Sequence, residues 1–331
     1  MVTDYTILEK ASRWTQHGQA VAFVLNTWGS SPRKRGSMLL INNLGEFEGS
    51  VSGGCVENLI ISEANEVITN GEPKRLFYSV SDETAWDTGL PCGGSIEVLI
   101  LRLDLPKFYQ QLMESVPKVL VANTTTGELG ISGPESWTGS FQANDIVKNV
   151  ANQLAKSGES SLQKIGITNY FFRPFVQPLK LIIIGAVHIA QFLATLAINV
   201  GFEVTIVDPR RSYATTERFP NISLITEWPN RALSYLSVDE RTALVTLSHN
   251  KDIDDLALTI ALKSHAFYIG ALGSKKTHAK RLARLANTGI GQDTLARIKG
   301  PAGLKLDSSQ PSEIAVSILA EIITIKNGVS N

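Results

Sequence analysis

Cysteine is scarce in this chain: its 331 residues hold two, Cys55 and Cys92. Two thiols cannot staple a disulfide scaffold, and a chain of this length needs no staples. There is no CxxC pair, and His17 is the one histidine in the N-terminal half, which argues against a zinc site and a thioredoxin-like centre. Net charge is missing as well: 31 Lys+Arg balance 31 Asp+Glu. That disfavours a surface built for nucleic acid or anionic lipid, although basic islands remain compatible with it. The N-terminus MVTDYTILEK lacks a basic stretch leading into an apolar one, so no signal peptide is expected. The longest apolar run, Leu181 to Phe202, is interrupted by Gly185, His188, Gln191 and Asn199 and reads as strand–turn–helix rather than a membrane span. Neither an internal repeat nor a low-complexity tract is found. The expectation is a soluble, cytoplasmic protein with reduced thiols, no membrane and no nucleic acid partner.

What is present is a core-forming composition, 43% hydrophobic and 19% charged, in a length that suggests about two domains. The first part mixes strands and helices without a βαβ rhythm. Helical spacing falls at 5–17 and 55–68, and strand-like runs at 21–27, 37–41, 76–80 and 96–103. Residues 104–178 carry a helical piece near 108–116, a strand at 118–123 and a glycine-rich polar stretch; they read as the tail of that domain and a connection. From Lys180 onward, short apolar strands (181–184, 203–207, 242–247, 267–269) alternate with helical patterns (189–200, 252–263, 275–287, 311–326). Such alternation implies a parallel sheet with helices on both faces. The expected architecture is α/β: an N-terminal α+β domain over 1–178, then a Rossmann-like, doubly wound domain over 179–331.

Three loops invite chemistry. In the first, Trp28-Gly-Ser30-Ser31-Pro-Arg33-Lys34-Arg35-Gly36 joins hydroxyls to three consecutive cations, a composition with affinity for anions or simply for water. Next, Ser52-Gly53-Gly54-Cys55 sets a thiol at a glycine-rich helix start, where thiolate is favoured. The third, Pro91-Cys92-Gly93-Gly94, repeats the Cys/Gly-Gly setting. Both cysteines are candidate nucleophiles, sulfur carriers or soft-metal ligands; buried packing is the alternative.

In the C-terminal part, Gly185-Ala-Val187-His188-Ile-Ala190 occupies the strand-to-helix turn of a dinucleotide fingerprint, and Asp208 closes the next strand 23 positions later, near the spacing for a ribose-binding acid. Val187 stands where a second glycine would admit a pyrophosphate, so NAD(P) or another nucleotide is weighed against a phosphate in a shifted pose at the helix N-terminus. His188 begins the helix and faces either ligand or solvent. Ser248-His249-Asn250 ends another strand, and Asp252, Asp254 and Asp255 behind it suit a helix start. Gly270-Ala-Leu-Gly273-Ser-Lys-Lys is a loose phosphate-type loop without Walker A spacing. Between 271 and 299 seven Lys/Arg stand against Asp293 alone, a solvated face or a docking surface.

Taken together, TWGSSPRKRGSML, GSVSGGCVEN, YSVSDETAWDTGLPCGGSIEV, LIIIGAVHIAQ, VTIVDPRRSYAT, ERFP, FYIGALGSKKTHAKRL, IKGPAGL and PSEIAVSILAEI resemble the xanthine dehydrogenase accessory (XdhC/CoxI) proteins, over residues 5–104 and 180–328. The resemblance implies a maturation factor without turnover of its own. Such a factor binds molybdenum cofactor (molybdopterin), protects it during sulfuration and delivers it to an apo molybdenum hydroxylase of the xanthine dehydrogenase type. It also implies a cysteine desulfurase as a second partner, and a homo-oligomer, most simply a dimer. Carried over, Cys55 and Cys92 become contacts of the molybdenum centre. Ser30, Ser31, Arg33, Gly53, Gly54, Gly93 and Gly94 would surround the cofactor, and Gly185, His188, Asp208, Gly270 and Gly273 would line the Rossmann-like pocket. The family pattern has GAGH where this chain has GAVH. The competing expectation is an NAD(P)-dependent oxidoreductase using the C-terminal sheet, though no catalytic Tyr–Lys pair is evident.

Overall fold

The structure is a computed structural model that describes residues 4–14, 16–29, 33–54, 56–79, 94–103, 111–112, 117–134, 136–307 and 309–328. The chain divides into two compact units, 2–177 and 178–331.

In the first unit, α1 (Asp4–Ser12) precedes β1 (Gln19–Trp28), β2 (Met38–Asn42) and β3 (Phe47–Gly49), followed by α2 (Glu57–Asn70), β4 (Lys74–Ser79) and β5 (Ser95–Leu103). These five strands form an antiparallel sheet in the order β3-β2-β1-β5-β4. Gly71, at φ 78°, closes α2 with its N–H on the Val67 carbonyl.

The stretch expected to be a tail and connection is a second sheet. β6 (Lys118–Asn123), β7 (Leu129–Ser132), β8 (Trp137–Gly139), β9 (Ser161–Ile165) and β10 (Thr168–Phe175) pair antiparallel in the order β8-β7-β6-β10-β9. Its helix is α3 (Asp145–Ser157), capped by Asn144, whose side chain accepts from the Val147 N–H. Pro174 sits inside β10. It lies beyond Phe172, the last residue paired with β9, on a stretch with a single neighbour where a strand tolerates proline.

Period-two alternation explains the layers. Phe23, Leu25, Leu99 and Leu101 of the first sheet face Leu120, Ala122 and Phe171 of the second. On the opposite faces, Ile60, Ala64 and Val67 of α2 cover Ala22, Val24 and Val98, while Val147 and Ala151 of α3 cover Val119, Val121 and Phe172. The unit is a four-layer helix–sheet–sheet–helix sandwich.

The second unit is a doubly wound Rossmann-like domain, as the alternation predicts. β11 (Leu179–Ile184), β12 (Phe202–Val207), β13 (Ser223–Ile225), β14 (Thr242–Thr246), β15 (Tyr268–Ala271) and β16 (Ile298–Lys299) are all parallel, in the order β13-β12-β11-β14-β15-β16. The order reverses between β11 and β14, the place where such sheets open a crevice beyond their carboxyl ends. One face carries α4 (His188–Asn199) and α9 (Pro311–Lys326). The other carries α5 (Pro229–Tyr235) and α6 (Lys251–Leu262), with α7 (Lys275–Ala286) and α8 (Gln292–Leu295) contributing Leu285 and Leu295. Among the described residues, no helix is long and apolar enough to cross a membrane.

Candidate functional site

Ser30, Ser31, Cys55, Cys92 and Gly93 lie outside the described residues. Around Cys55 in sequence, the glycine-rich turn has an unforeseen centre, the carboxylate of Glu57. Its Oε1 accepts from the N–H groups of Val51 (3.2 Å), Ser52 (2.9 Å) and Gly53 (3.1 Å) and from the Ser50 hydroxyl (2.8 Å). Its Oε2 accepts from the Gly54 N–H (2.9 Å) and the Ser52 hydroxyl. Gly53 and Gly54, at φ 86° and 123°, adopt backbone that L side chains rarely reach, which lets successive amides converge on one anion. Burial raises the carboxyl pKa, but the bonds from Ser52 and Ser50 outweigh it and bring it down to about 2. The anion cradled by this loop is therefore the chain's own, fixed at the start of α2. Gly94 is half-buried immediately before β5.

Arg33, Lys34 and Arg35 are exposed and line a cavity of about 330 Å3, together with Ser37, Ser50 and Arg173. Asp4 and Glu159 also line it, so four cations meet two acids and the wall is net positive. Arg173 comes from β10 of the second sheet. It donates to the Gly36 carbonyl (2.6 Å) and pairs with Asp4 (2.5 Å), tying the basic loop to the sandwich. The sequence carries no sign of this pairing, because the partners are 137 and 169 positions away.

In the second unit, the turn after β11 is latched from both sides. Asp208 is fully buried and accepts from the Ala186 N–H (2.8 Å) and from the Arg210 N–H (2.9 Å), Nε (2.9 Å) and Nη2 (2.7 Å). Burial pushes its pKa up, but the bonds from Arg210 and Ala186 prevail and hold it below the usual range. Spacing points this acid at a ribose; in the structure both oxygens turn inward, and Arg210 takes the outer position, stacked 4.1 Å above the Tyr213 ring. Arg218, in the ERFP segment, donates to the Ala186 carbonyl (2.8 Å).

Gly185, at φ 108°, is demanded by packing: a Cβ there would lie 2.6 Å from the Ser248 backbone. Val187 packs against the core and also borders an open crevice of about 660 Å3, shared with Arg210, Tyr213, His249, Asn250 and Lys251. His188 is exposed; its Nδ1 lies 2.9 Å from Gln191 Oε1 and its ring sits edge-on to Phe192. Gly270 is buried within β15, and Gly273 precedes Ser274, whose hydroxyl accepts from the Thr277 N–H to cap α7. Two of the three acids after Asn250 serve local structure: Asp254 accepts from Ser248 Oγ (2.6 Å), and Asp255 pairs twice with Arg284 (2.6 and 2.9 Å), while Asp252, in the first turn of α6, is exposed and also borders the crevice.

The basic segment 271–299 separates into two classes. Arg281 is buried and donates to the Leu272 carbonyl, Arg284 is paired with Asp255, and Arg297 donates to the carbonyls of Leu262, Ser264 and Ala266. Lys275, Lys276, Lys280 and Lys299 remain exposed. Among the described residues no group of three or more His, Cys, Asp or Glu could hold a metal ion.

Comparison with known proteins matches residues 181–322 to the XdhC Rossmann domain and residues 14–79 to the XdhC and CoxI family. A Bacillus subtilis protein, named as a probable subunit of xanthine dehydrogenase, is 28% identical over 95% of each chain. The Escherichia coli molybdenum cofactor insertion chaperone PaoD is 27% identical, over 97% of this chain and 88% of its own. A crystal structure described as a xanthine dehydrogenase from Bacillus halodurans superposes with a TM-score of 0.80 at 26% identity, covering 99% of this chain and 97% of the other. The two family matches fall one in each unit, in the order that the sequence motifs predict, and the chain belongs to the XdhC and CoxI family.

Proposed function

We propose that this protein is an accessory factor for a molybdenum hydroxylase, carrying molybdenum cofactor as cargo and inserting it into the apoenzyme. The observation that carries the reading is the net-positive cavity walled by Arg33, Lys34, Arg35 and Arg173, in the unit whose sequence holds both cysteines. Guanidinium and ammonium groups suit the phosphate of the pterin, and thiolates suit a soft molybdenum–sulfur centre. The name of the PaoD relative, an insertion chaperone, supports the same role. In this reading Cys55 and Cys92 contact the metal centre or its sulfur while it is protected and sulfurated. A cysteine desulfurase supplies that sulfur, the protein works as a dimer, and its place is the cytoplasm.

The NAD(P)-dependent oxidoreductase reading has less support, because Asp208 is consumed by Arg210 and Ala186 and Val187 occupies the pyrophosphate approach. Purification with cofactor, followed by pterin and molybdenum analysis of the wild type, Cys55→Ala and Cys92→Ala, tests the proposal. Retention by the wild type and loss in the variants is expected; equal, negligible retention by all three refutes it.

A further inference from the structure

Among the described residues, no element covers one end of the first sheet, and its composition is unlike that of an ordinary solvent face. The face that buries Phe23, Leu25, Leu99 and Leu101 against the second sheet continues past that core onto Trp28 and Asn26 of β1, Ser95 and Glu97 of β5, and Arg75 and Phe77 of β4. Register puts them side by side. Asn26, Glu97 and Phe77 lie in one row, and Trp28, Ser95 and Ser79 in the next. The register shifts between Val24 and Asn26, so Leu25 and Asn26 both serve the same face, the kind of bulge that re-aims a side chain beside a site.

Two features of this tile call for a ligand. Trp28 and Phe77 are 49% and 61% exposed, yet their rings meet at 5.5 Å across the intervening strand, inclined at 59° to each other, and form an angled shelf rather than two scattered aromatics. Beside the shelf, the buried Glu97 carboxylate accepts from Asn26 Nδ2 (2.7 Å) and from Arg75 Nε. Asn26 Oδ1 in turn accepts from Arg35, whose Nε also donates to the Leu25 carbonyl (2.7 Å). A buried carboxylate is costly, and here it holds guanidinium groups, from Arg35 and Arg75, at the surface with fixed orientation. An angled aromatic shelf flanked by two oriented guanidinium groups is complementary to a planar heterocyclic ring bearing carbonyl and ring-nitrogen acceptors.

We propose that this tile seats the pterin ring of the cargo in the angle between Trp28 and Phe77, face against one ring and edge against the other, with Arg35 and Arg75 directed at its carbonyl and ring-nitrogen acceptors. Arg35 also belongs to the wall of the basic cavity, so ring and phosphate are served by adjoining surfaces of one unit. Ser79 and Ser95, both tile residues, are also the strand ends that flank the position of Cys92 in sequence. The proposal rests on the cofactor-handling reading and adds the place where the ring is held.

The test is anaerobic binding of molybdenum cofactor released from a donor enzyme, read as bound pterin at several cofactor concentrations. It compares the wild type with Trp28→Ala, Trp28→Phe, Phe77→Ala and Arg75→Gln, each checked for an unchanged thermal transition. Because both rings are about half or more exposed, the ring changes leave the core intact. Trp28→Ala and Phe77→Ala are each expected to raise Kd about tenfold, the usual consequence of losing a stacking platform, while Trp28→Phe stays near the wild type. Wild-type affinity in all the tile variants overturns the proposal and leaves the accessory function standing. No binding by the wild type overturns both. Undiminished cofactor binding with lost activation of the client hydroxylase makes the tile a protein-docking surface and also overturns the proposal.

Discussion

Replacing Glu57 by Gln should unsettle the turn that leads into Cys55, and the size of the effect follows from the hydrogen bonds it receives. The carboxylate accepts from four backbone N–H groups and two hydroxyls, and its pKa falls from 4.5 to about 2. A difference of that size corresponds to ~3 kcal/mol of preference for the ionised form in the folded state. Solvent screening at the open side of the turn reduces this, and ~2 kcal/mol is the working figure. The folded pKa is depressed, so the stabilisation is fully present above pH 4.5 and is lost as pH falls from there toward about 2. An amide at this position also turns an NH2 group toward donors. At pH 7, Glu57→Gln should lower the melting temperature of the N-terminal unit by ~4–8 °C, and hydrogen exchange should show lost protection at Val51 to Gly54. The gap between wild type and variant should close between pH 4.5 and pH 2, because the variant has nothing to titrate there. Equal stability at pH 7 with unchanged amide protection would refute the account of the turn as a carboxylate nest.

Other expectations concern the rest of the fold. Gly185→Ala should destabilise the C-terminal unit by about 2–3 kcal/mol in chemical denaturation, since its Cβ meets the Ser248 backbone at 2.6 Å in a positive-φ conformation. Asp208→Asn should cost about 3 kcal/mol by leaving Arg210 and the Ala186 amide poorly paired; the wild-type contribution should fade as pH drops below the ordinary aspartate range, visible in acid unfolding curves. Phe171→Ala, between the two sheets and fully buried against Phe23, should cost about 3–5 kcal/mol by urea unfolding. Joint replacement of Lys275, Lys276 and Lys280 by Gln should change stability by no more than about 0.5 kcal/mol each, whereas Arg281→Leu should perturb the Leu272 loop, measurable by hydrogen exchange.

The C-terminal unit is legible because its buried parallel strands are apolar runs and its helices are long enough to display their period. Leu181–Ile184 and Thr242–Thr246 are buried on both faces, and the helical pattern at 311–326 coincides with α9. Short elements carry no period to read: β13 has three residues and β16 two. The second sheet of the N-terminal unit is hidden for related reasons. β8 is three residues long, β9 has no fully buried residue, and Pro174 lies inside β10.

The candidate sites divide along the same line. Composition and order of motifs are enough to mark the basic loop at 33–35, the Gly53-Gly54 turn and the β11 turn, because backbone conformation and charge are local properties. Which groups those loops spend on themselves is decided by the fold. Glu57 fills the glycine-rich nest, Arg210 takes both Asp208 oxygens, and Ser248 dictates Gly185 from 63 positions away. The aromatic tile is the extreme case: Trp28, Phe77 and Glu97 are ordinary alternating strand residues until three antiparallel strands set them side by side on one face. The sequence alone determined the two-part α/β plan and the family. Only the tertiary structure decided which donors and acceptors are satisfied within the chain and which face outward, because that depends on contacts between residues tens of positions apart.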